Sequence, residues 1–168
     1  MNIAIFQPLI FLGAILLFLY FQSKSSNKNY AVSAAVLAEL NALHLQNVKC
    51  ETFSSGMKGR GYYFSRCELF ITKDALVIFG KQKMFWINKF TDPLVFTTRA
   101  QEYFFKLPGA KLIQPKNLNL NSFGGDIYIE FVVPGFINTN VEFRLIGISD
   151  EVKAQLEFLN GLKNLRLG

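Results

Sequence analysis

Ser65 to Gly80 reads SRCELFITKDALVIFG. Two apolar runs of strand length flank Lys73-Asp74, and the β-branched and aromatic residues in both favour extended chain over helix. The pattern predicts strands over Tyr62 to Thr72 and Ala75 to Phe79, joined by a tight turn at Lys73-Asp74. Outward from this hairpin, Phe, Tyr, Ile and Val stay frequent while Gly, Asn, Asp and Pro punctuate at short intervals. Further strands are expected near Val48 to Phe53, Met84 to Asn88, Leu94 to Thr97, Leu112 to Leu120, Asp126 to Val133 and Val141 to Ile148. In the last pair, Ile127, Ile129, Phe131 and Val133 point one way while Tyr128 and Glu130 point the other. With Val133 opposite Val141, Glu130 lies opposite Arg144 on the wet face.

Helices bracket the strands. Tyr30 to Gln46 (YAVSAAVLAELNALHLQ) is rich in strong helix formers, with Val36, Leu40 and Leu43 at helical spacing. Ala34, Ala38 and Ala42 form a second, smooth strip, suited to docking on the chain's own domain or to a contact between copies. Ser149 to Leu165 supplies an N-cap at Ser149, acids at Asp150 and Glu151 for the positive helix end, and an apolar stripe of Val152, Leu156, Leu159 and Leu162.

This order, with Ser65 to Gly80 at its heart, resembles the pleckstrin-homology (PH) superfold and its GRAM-type and bacterial PH-like variants. In that pattern an apolar strand ends in Thr, a short charged turn follows, and a second apolar strand comes next. The resemblance spans Val48 to Leu165. It implies an α+β fold: a mainly antiparallel, half-open barrel of about seven strands, flanked by an N-terminal helix and closed by a C-terminal one. The activity it implies is binding of lipids, peptides or neighbouring proteins.

The N-terminal end belongs to a different class. Ile3 to Phe21 (IAIFQPLIFLGAILLFLYF) holds no charged side chain, and at ~1.5 Å per residue such a run approaches the ~30 Å hydrocarbon layer. Ile3, Phe11 and Leu16 represent its apolar body, and Tyr20 stands at the boundary, where an aromatic ring with one wet edge prefers the headgroups. No Lys or Arg precedes the run while Lys24 and Lys28 follow it, so the positive-inside bias places the remainder in the cytoplasm. The competing reading is a cleaved secretory signal; against it, the run exceeds a ~7–15-residue h-region and has no basic start. Cytoplasmic Cys50 and Cys67 are expected to be reduced and buried; exported, they would be able to pair. The chain thus divides into a transmembrane helix (3–22), a polar tether (23–29, SKSSNKN after Gln22), a juxtamembrane amphipathic helix (30–46) and the β domain (47–168).

All charged residues lie beyond the apolar run, so the net charge of +6 belongs to the domain. Ser54 to Gly61 (SSGMKGRG) places Lys58 and Arg60 among three glycines, a composition that exposes backbone N–H groups to a phosphate. Lys49, Lys58 and Arg60 also match, loosely, the Lys, Lys-x-Arg spacing of PH domains that hold phosphoinositide headgroups. From Lys49 to Lys89 there are eight basic residues, Arg66, Lys73, Lys81, Lys83 and Lys89 being the others, against Glu51, Glu68 and Asp74. Near an anionic leaflet each basic residue that reaches the surface contributes up to ~1 kcal/mol; edge-strand protection is the other use of such lysines.

Catalytic chemistry finds little material. His44 is the single histidine and falls in a predicted helix. No nucleophile elbow or zinc-finger spacing occurs, no metal or cofactor is expected, and RNA- or DNA-binding patterns are missing. The residues point to a single-pass membrane protein with a non-catalytic binding or scaffolding module facing the cytoplasm, its partners the anionic bilayer surface and another protein. The alternatives are a structural subunit of a membrane complex, a protein with a lipid cavity, or a hydrolase assembled around His44.

Overall fold

The computed structural model describes the backbone of residues 3–56, 59–84 and 87–164, and the side chains of these except 3–9, 60, 84, 87, 163 and 164. Helix α1 spans Ile3–Glu39 without a break. The stretch read as a polar tether is therefore helical, and the juxtamembrane helix is its continuation. α1 stops earlier than composition suggests because Asn41 turns left-handed at φ 54, a conformation that Asn tolerates better than most residues. Ala42 N–H then bonds Leu37 C=O at 3.0 Å and Asn41 N–H bonds Ala38 C=O at 2.9 Å, the paired bonds that close a helix C-terminus. His44 to Gln46 thereby belong to a strand. Among the described residues no helix is long and apolar enough to cross a membrane.

Among the described residues nine strands follow: β1 Leu43–Ser55, β2 Arg66–Ile71, β3 Ala75–Met84, β4 Ile87–Phe90, β5 Leu94–Thr97, β6 Lys111–Leu112, β7 Pro115–Asn119, β8 Ile127–Val133 and β9 Thr139–Ile146. They form one curled, mostly antiparallel sheet in the order β6-β5-β3-β2-β1-β9-β8-β7, with β4 paired to β3. β1 is the hinge of the curl. Leu43 to Lys49 pair with β2, with a bulge between Leu45 and Val48, and Lys49 to Ser55 pair with β9, so the two pairings meet at Lys49.

The turn at Lys73-Asp74 forms as expected, with Thr72 N–H bonding Ala75 C=O at 2.9 Å. The β8–β9 register differs by two residues from expectation. Val133 faces Thr139, so Glu130 lies opposite Glu142, and Arg144 lies opposite Tyr128. Faces are preserved, since a two-residue slip keeps the pleat. Glu130 pairs instead with Lys116 of β7 at 2.8 Å, and Arg144 with Asp126 at 2.7 Å. The single strand expected over Leu112 to Leu120 is two short ones, and a helix, α2 (Ala100–Lys106), precedes them. α3 (Asp150–Gln155) begins after Ser149 as anticipated, then tightens into a 3-10 stretch over Glu157–Asn164.

Two cores lie on opposite faces of β2 and β3. Inside the curl, Phe64, Phe96, Phe131 and Phe143 meet Leu156, Leu159 and Leu162, which close the half-barrel. Outside it, Phe70, Val77, Phe79 and Val95 are covered by Leu37 of α1, by Tyr103 of α2 and by Leu107 just after that helix. Burial on both faces explains the near-continuous apolar runs of β2, β3 and β5; β8 and β9, wet on one side, alternate. The free thiols of Cys50 and Cys67 are buried in the inner core. Ala34 and Ala42 pack against the outer one while Ala38 is exposed, so the alanine strip is divided between docking and solvent.

Gly80, in the middle of β3, lies directly under the Phe64 ring, in the space a Cβ atom would occupy. Gly80→Ala is expected to cost about 1–3 kcal/mol through overpacking, measured by urea unfolding in mild detergent. Adding Phe64→Leu should recover part of that loss. An unchanged midpoint for Gly80→Ala would contradict this packing.

Candidate functional site

Lys49 is exposed on β1, between Arg66 of β2 and Ile146 of β9. Lys58 lies outside the described residues. Arg60 belongs by its backbone to a 3-10 turn over Gly59–Tyr62, and its side chain lies outside the described set. The trio is therefore not assembled by the described geometry. The glycine loop is also less open than its composition suggests. Gly56, at φ +118, sits so close to Asn138 and Thr139 that a Cβ would fall 2.7 Å from the Asn138 carbonyl oxygen. Ser54 Oγ donates to Gly59 C=O at 3.0 Å, folding the loop down onto β1.

The structure instead gathers the later members of the basic series. Pairing of Lys83 with Asn88, Gln82 with Lys89 and Lys81 with Phe90 builds a β3–β4 hairpin that runs beyond the end of β2. Strand alternation puts Lys81 and Lys83 on one face and Lys89 on the other, so the hairpin is cationic on both. A groove of about 480 Å³ lies between it and α1, lined by Arg66, Lys81, Lys83 and Lys89 together with Asn27 and Asn88. No carboxylate is among its lining residues. An adjoining hollow of about 660 Å³ shares Ser65 and adds Gly61, Tyr63 and Phe64 from the β1–β2 loop, so that loop borders the same basic surface. Sequence reading counted these lysines without locating them, because only the hairpin register and α1 make them neighbours.

α1 reaches the groove through Asn27, and its polar stretch is bonded to β4. Ser23 Oγ donates to Asn88 C=O at 3.0 Å, Ser26 Oγ donates to Phe90 C=O, and Asn27 Nδ2 donates to Asn88 C=O at 3.2 Å. Phe90 N–H returns a bond to Asn27 Oδ1 at 3.3 Å. These side chains satisfy the backbone of a short edge strand that has no next strand. One turn on, the Tyr30 ring stacks on Phe90 at 3.7 Å and meets Phe79 edge-on at 5.1 Å.

Beneath the groove sits Glu68, only 4% exposed. One oxygen accepts from Lys81 at 2.5 Å and the other meets His44 Nε2 at 2.5 Å, while the His44 ring stacks on Phe70 at 4.1 Å. Burial by itself raises the Glu68 pKa, but hydrogen bonds and charge from Lys81 and His44 outweigh it and hold the carboxyl below its usual value. Tyr30, desolvated beside Glu68, is pushed up to about 12. His44 thus stands on a strand as the partner of a buried carboxylate. The cysteines lie in the other core, where the hydrogen bond with Cys50, and then burial, push the Cys67 thiol upward, away from the reactive thiolate. Among the described residues no three His, Cys, Asp or Glu side chains gather as a metal site. The arrangement suits holding an anion on Arg66, Lys83 and Lys89, with Lys81 neutralised from below.

Because the folded-state pKa of Glu68 is depressed, its stabilisation is full above the ordinary value of 4.5 and is lost as pH falls through the folded value. Glu68→Gln is therefore expected to lower stability at pH 7 by about 1–3 kcal/mol and to flatten the decline of the unfolding midpoint below that pH. A mutant whose acid limb superimposes on the wild type would refute the assignment.

No family model matches the chain, and neither a curated protein nor a solved structure does.

Proposed function

We propose that this chain is a membrane-anchored, non-catalytic binding module that presents a PH-like domain and its basic groove to an anionic bilayer surface in the cytoplasm. The observation that carries the reading is the contrast along α1. Its second half is seated on the sheet, whereas in its first half Ile10 and Phe11 are 70% exposed, Phe18 65% and Leu17 60%, with no part of the domain over them. An apolar helix bare on several faces needs lipid or another protein around it. From Ile10 to Phe21 the helix is about 18 Å long, too short to span alone; the full uncharged run from Ile3 comes to about 28 Å, close to the ~30 Å layer. Leu16 is half-buried and Tyr20 is exposed, one residue from the end of the run.

The strand path supports the PH-like part of the reading. A curled, mostly antiparallel sheet with a C-terminal helix over the open end is the arrangement that the resemblance implies. The headgroup contact rests on Arg66, Lys83 and Lys89, with Lys49 beside Arg66. Ala38, exposed on α1, leaves a small face for a second copy or a partner protein.

The full-length chain reconstituted in vesicles should resist an alkaline wash, and Phe11→Asp with Leu16→Asp should release it. The combined change of Arg66, Lys83 and Lys89 to Glu should leave that resistance intact. It should cut anionic phospholipid retained on the detergent-solubilised protein at least tenfold in native mass measurements. A wild-type chain that washes off removes the anchor; unchanged lipid retention in the triple variant removes the headgroup role.

A further inference from the structure

The geometry points to a second membrane contact at the β8–β9 turn, where Phe136 and Ile137 enter the boundary between headgroups and acyl chains. This inference rests on the anchor reading. Contacts along α1 fix its direction. Ser23 and Asn27 meet Asn88, Tyr30 meets Phe90 and Phe79, and Leu37 shares a cluster with Ala75 and Val77. α1 therefore runs antiparallel to β3, and its apolar half continues past the hairpin end of the sheet.

The strand registers carry that direction across the sheet. Phe90, Lys81, Arg66, Lys49 and Ile146 are successive partners at one level, that of Ser26 and Asn27 on the helix. From Lys49 to Ser55, β1 advances toward the same end by about 20 Å at ~3.3 Å per residue. There Ser55 meets Asn140, the residue after Thr139, where β9 begins. From Asn27 to the last apolar residue, Phe21, the helix rises only about 9 Å. Even if the curl takes half of the strand advance, the β8–β9 turn stands level with the end of the apolar run.

What the turn presents fits that depth. Phe136 is fully exposed and Ile137 is 53% exposed, while Val132 at 37% and Phe53 at 65% widen the apolar tip. Pro134 to Asn138 carries no charge. The tip is braced from behind, since Gly56 packs against the Asn138 carbonyl and Thr139. With Lys83 exposed on the hairpin at the same end, apolar tips flanked by cations form an interfacial surface for an anionic leaflet.

The test uses the full-length chain in vesicles containing phosphatidylserine and a lipid with a shallow nitroxide. Ile137→Cys and, separately, Leu17→Cys carry an environment-sensitive fluorophore, with the wild type confirming that buried Cys50 and Cys67 take up none. Both labels should lose at least half of their emission to the nitroxide. Replacing Ser23, Ser26 and Asn27 together by Ala, which keeps the helix but frees β4, should at least halve the quenching at position 137 and leave position 17 unchanged. Quenching at position 17 without quenching at 137 overturns the turn contact alone. Energy transfer between labels at 137 in place of lipid quenching assigns the tip to a second copy and overturns it too. Absence of quenching at position 17 overturns the anchor reading and this inference with it.

Discussion

The outer face of β2 and β3 is as apolar as the inner one, and neither can remain in water. Phe70, Val77 and Phe79 need a cover, and α1 supplies it through Tyr30, Leu37 and the flanking aliphatic side chains. From that seating the other features follow. The helix must lie along β3, so its polar residues meet the edge of β4. Asn27, with both of its amide atoms on β4 backbone, takes the place that a neighbouring strand would occupy. An edge left bare would expose unpaired donors and acceptors beside a cluster of aromatic rings, a recipe for pairing with another chain.

The polar cluster under α1 belongs to the same constraint. Glu68 is placed by strand alternation on the face that α1 covers, opposite Phe79. A carboxylate there loses water, and its desolvation is tolerable only because Lys81 from the next strand and His44 from β1 occupy both oxygens. Helix, sheet and ion pair thus depend on one another. Removing the helix would wet the apolar face; removing Glu68 would leave an ammonium and an imidazole facing aromatic rings.

Much of the strand pattern was legible because it is local. The Lys73-Asp74 turn, β5, the hydrophobic alternation of β8 and the stripe of Leu156, Leu159 and Leu162 all follow from residue type and period. Features that depend on tertiary partners were not. SKSSNKN has the composition of a linker, and only the β4 edge, distant in sequence, gives Ser23, Ser26 and Asn27 acceptors and a donor that hold it beside the sheet. NALHLQ has the composition of a helix, but a left-handed Asn41 ended it and pairing with β2 claimed the rest. α2 lies between the strands expected over Leu94 to Thr97 and Leu112 to Leu120, where no element was expected, and Tyr103 folds inward to Thr72 and Asp74 of the β2–β3 turn. For the candidate site, composition supplied a run of basic residues, and register decided which of those cations share a groove.

A domain on a flexible tether samples many poses above a membrane and loses that freedom when it docks. Here the helix that carries the apolar run is the same helix that is bonded to β4 and packed on β3, so the orientation is fixed when the chain folds. The entropy of orienting the basic groove and the loop end is then lost during folding, not at each encounter with a ligand. On the proposed membrane reading weak individual contacts suffice, because the cations at that end would be held near the bilayer together and their contributions would act jointly. On that reading rigidity, more than any single residue of the groove, would turn an ordinary set of surface lysines into a binding face.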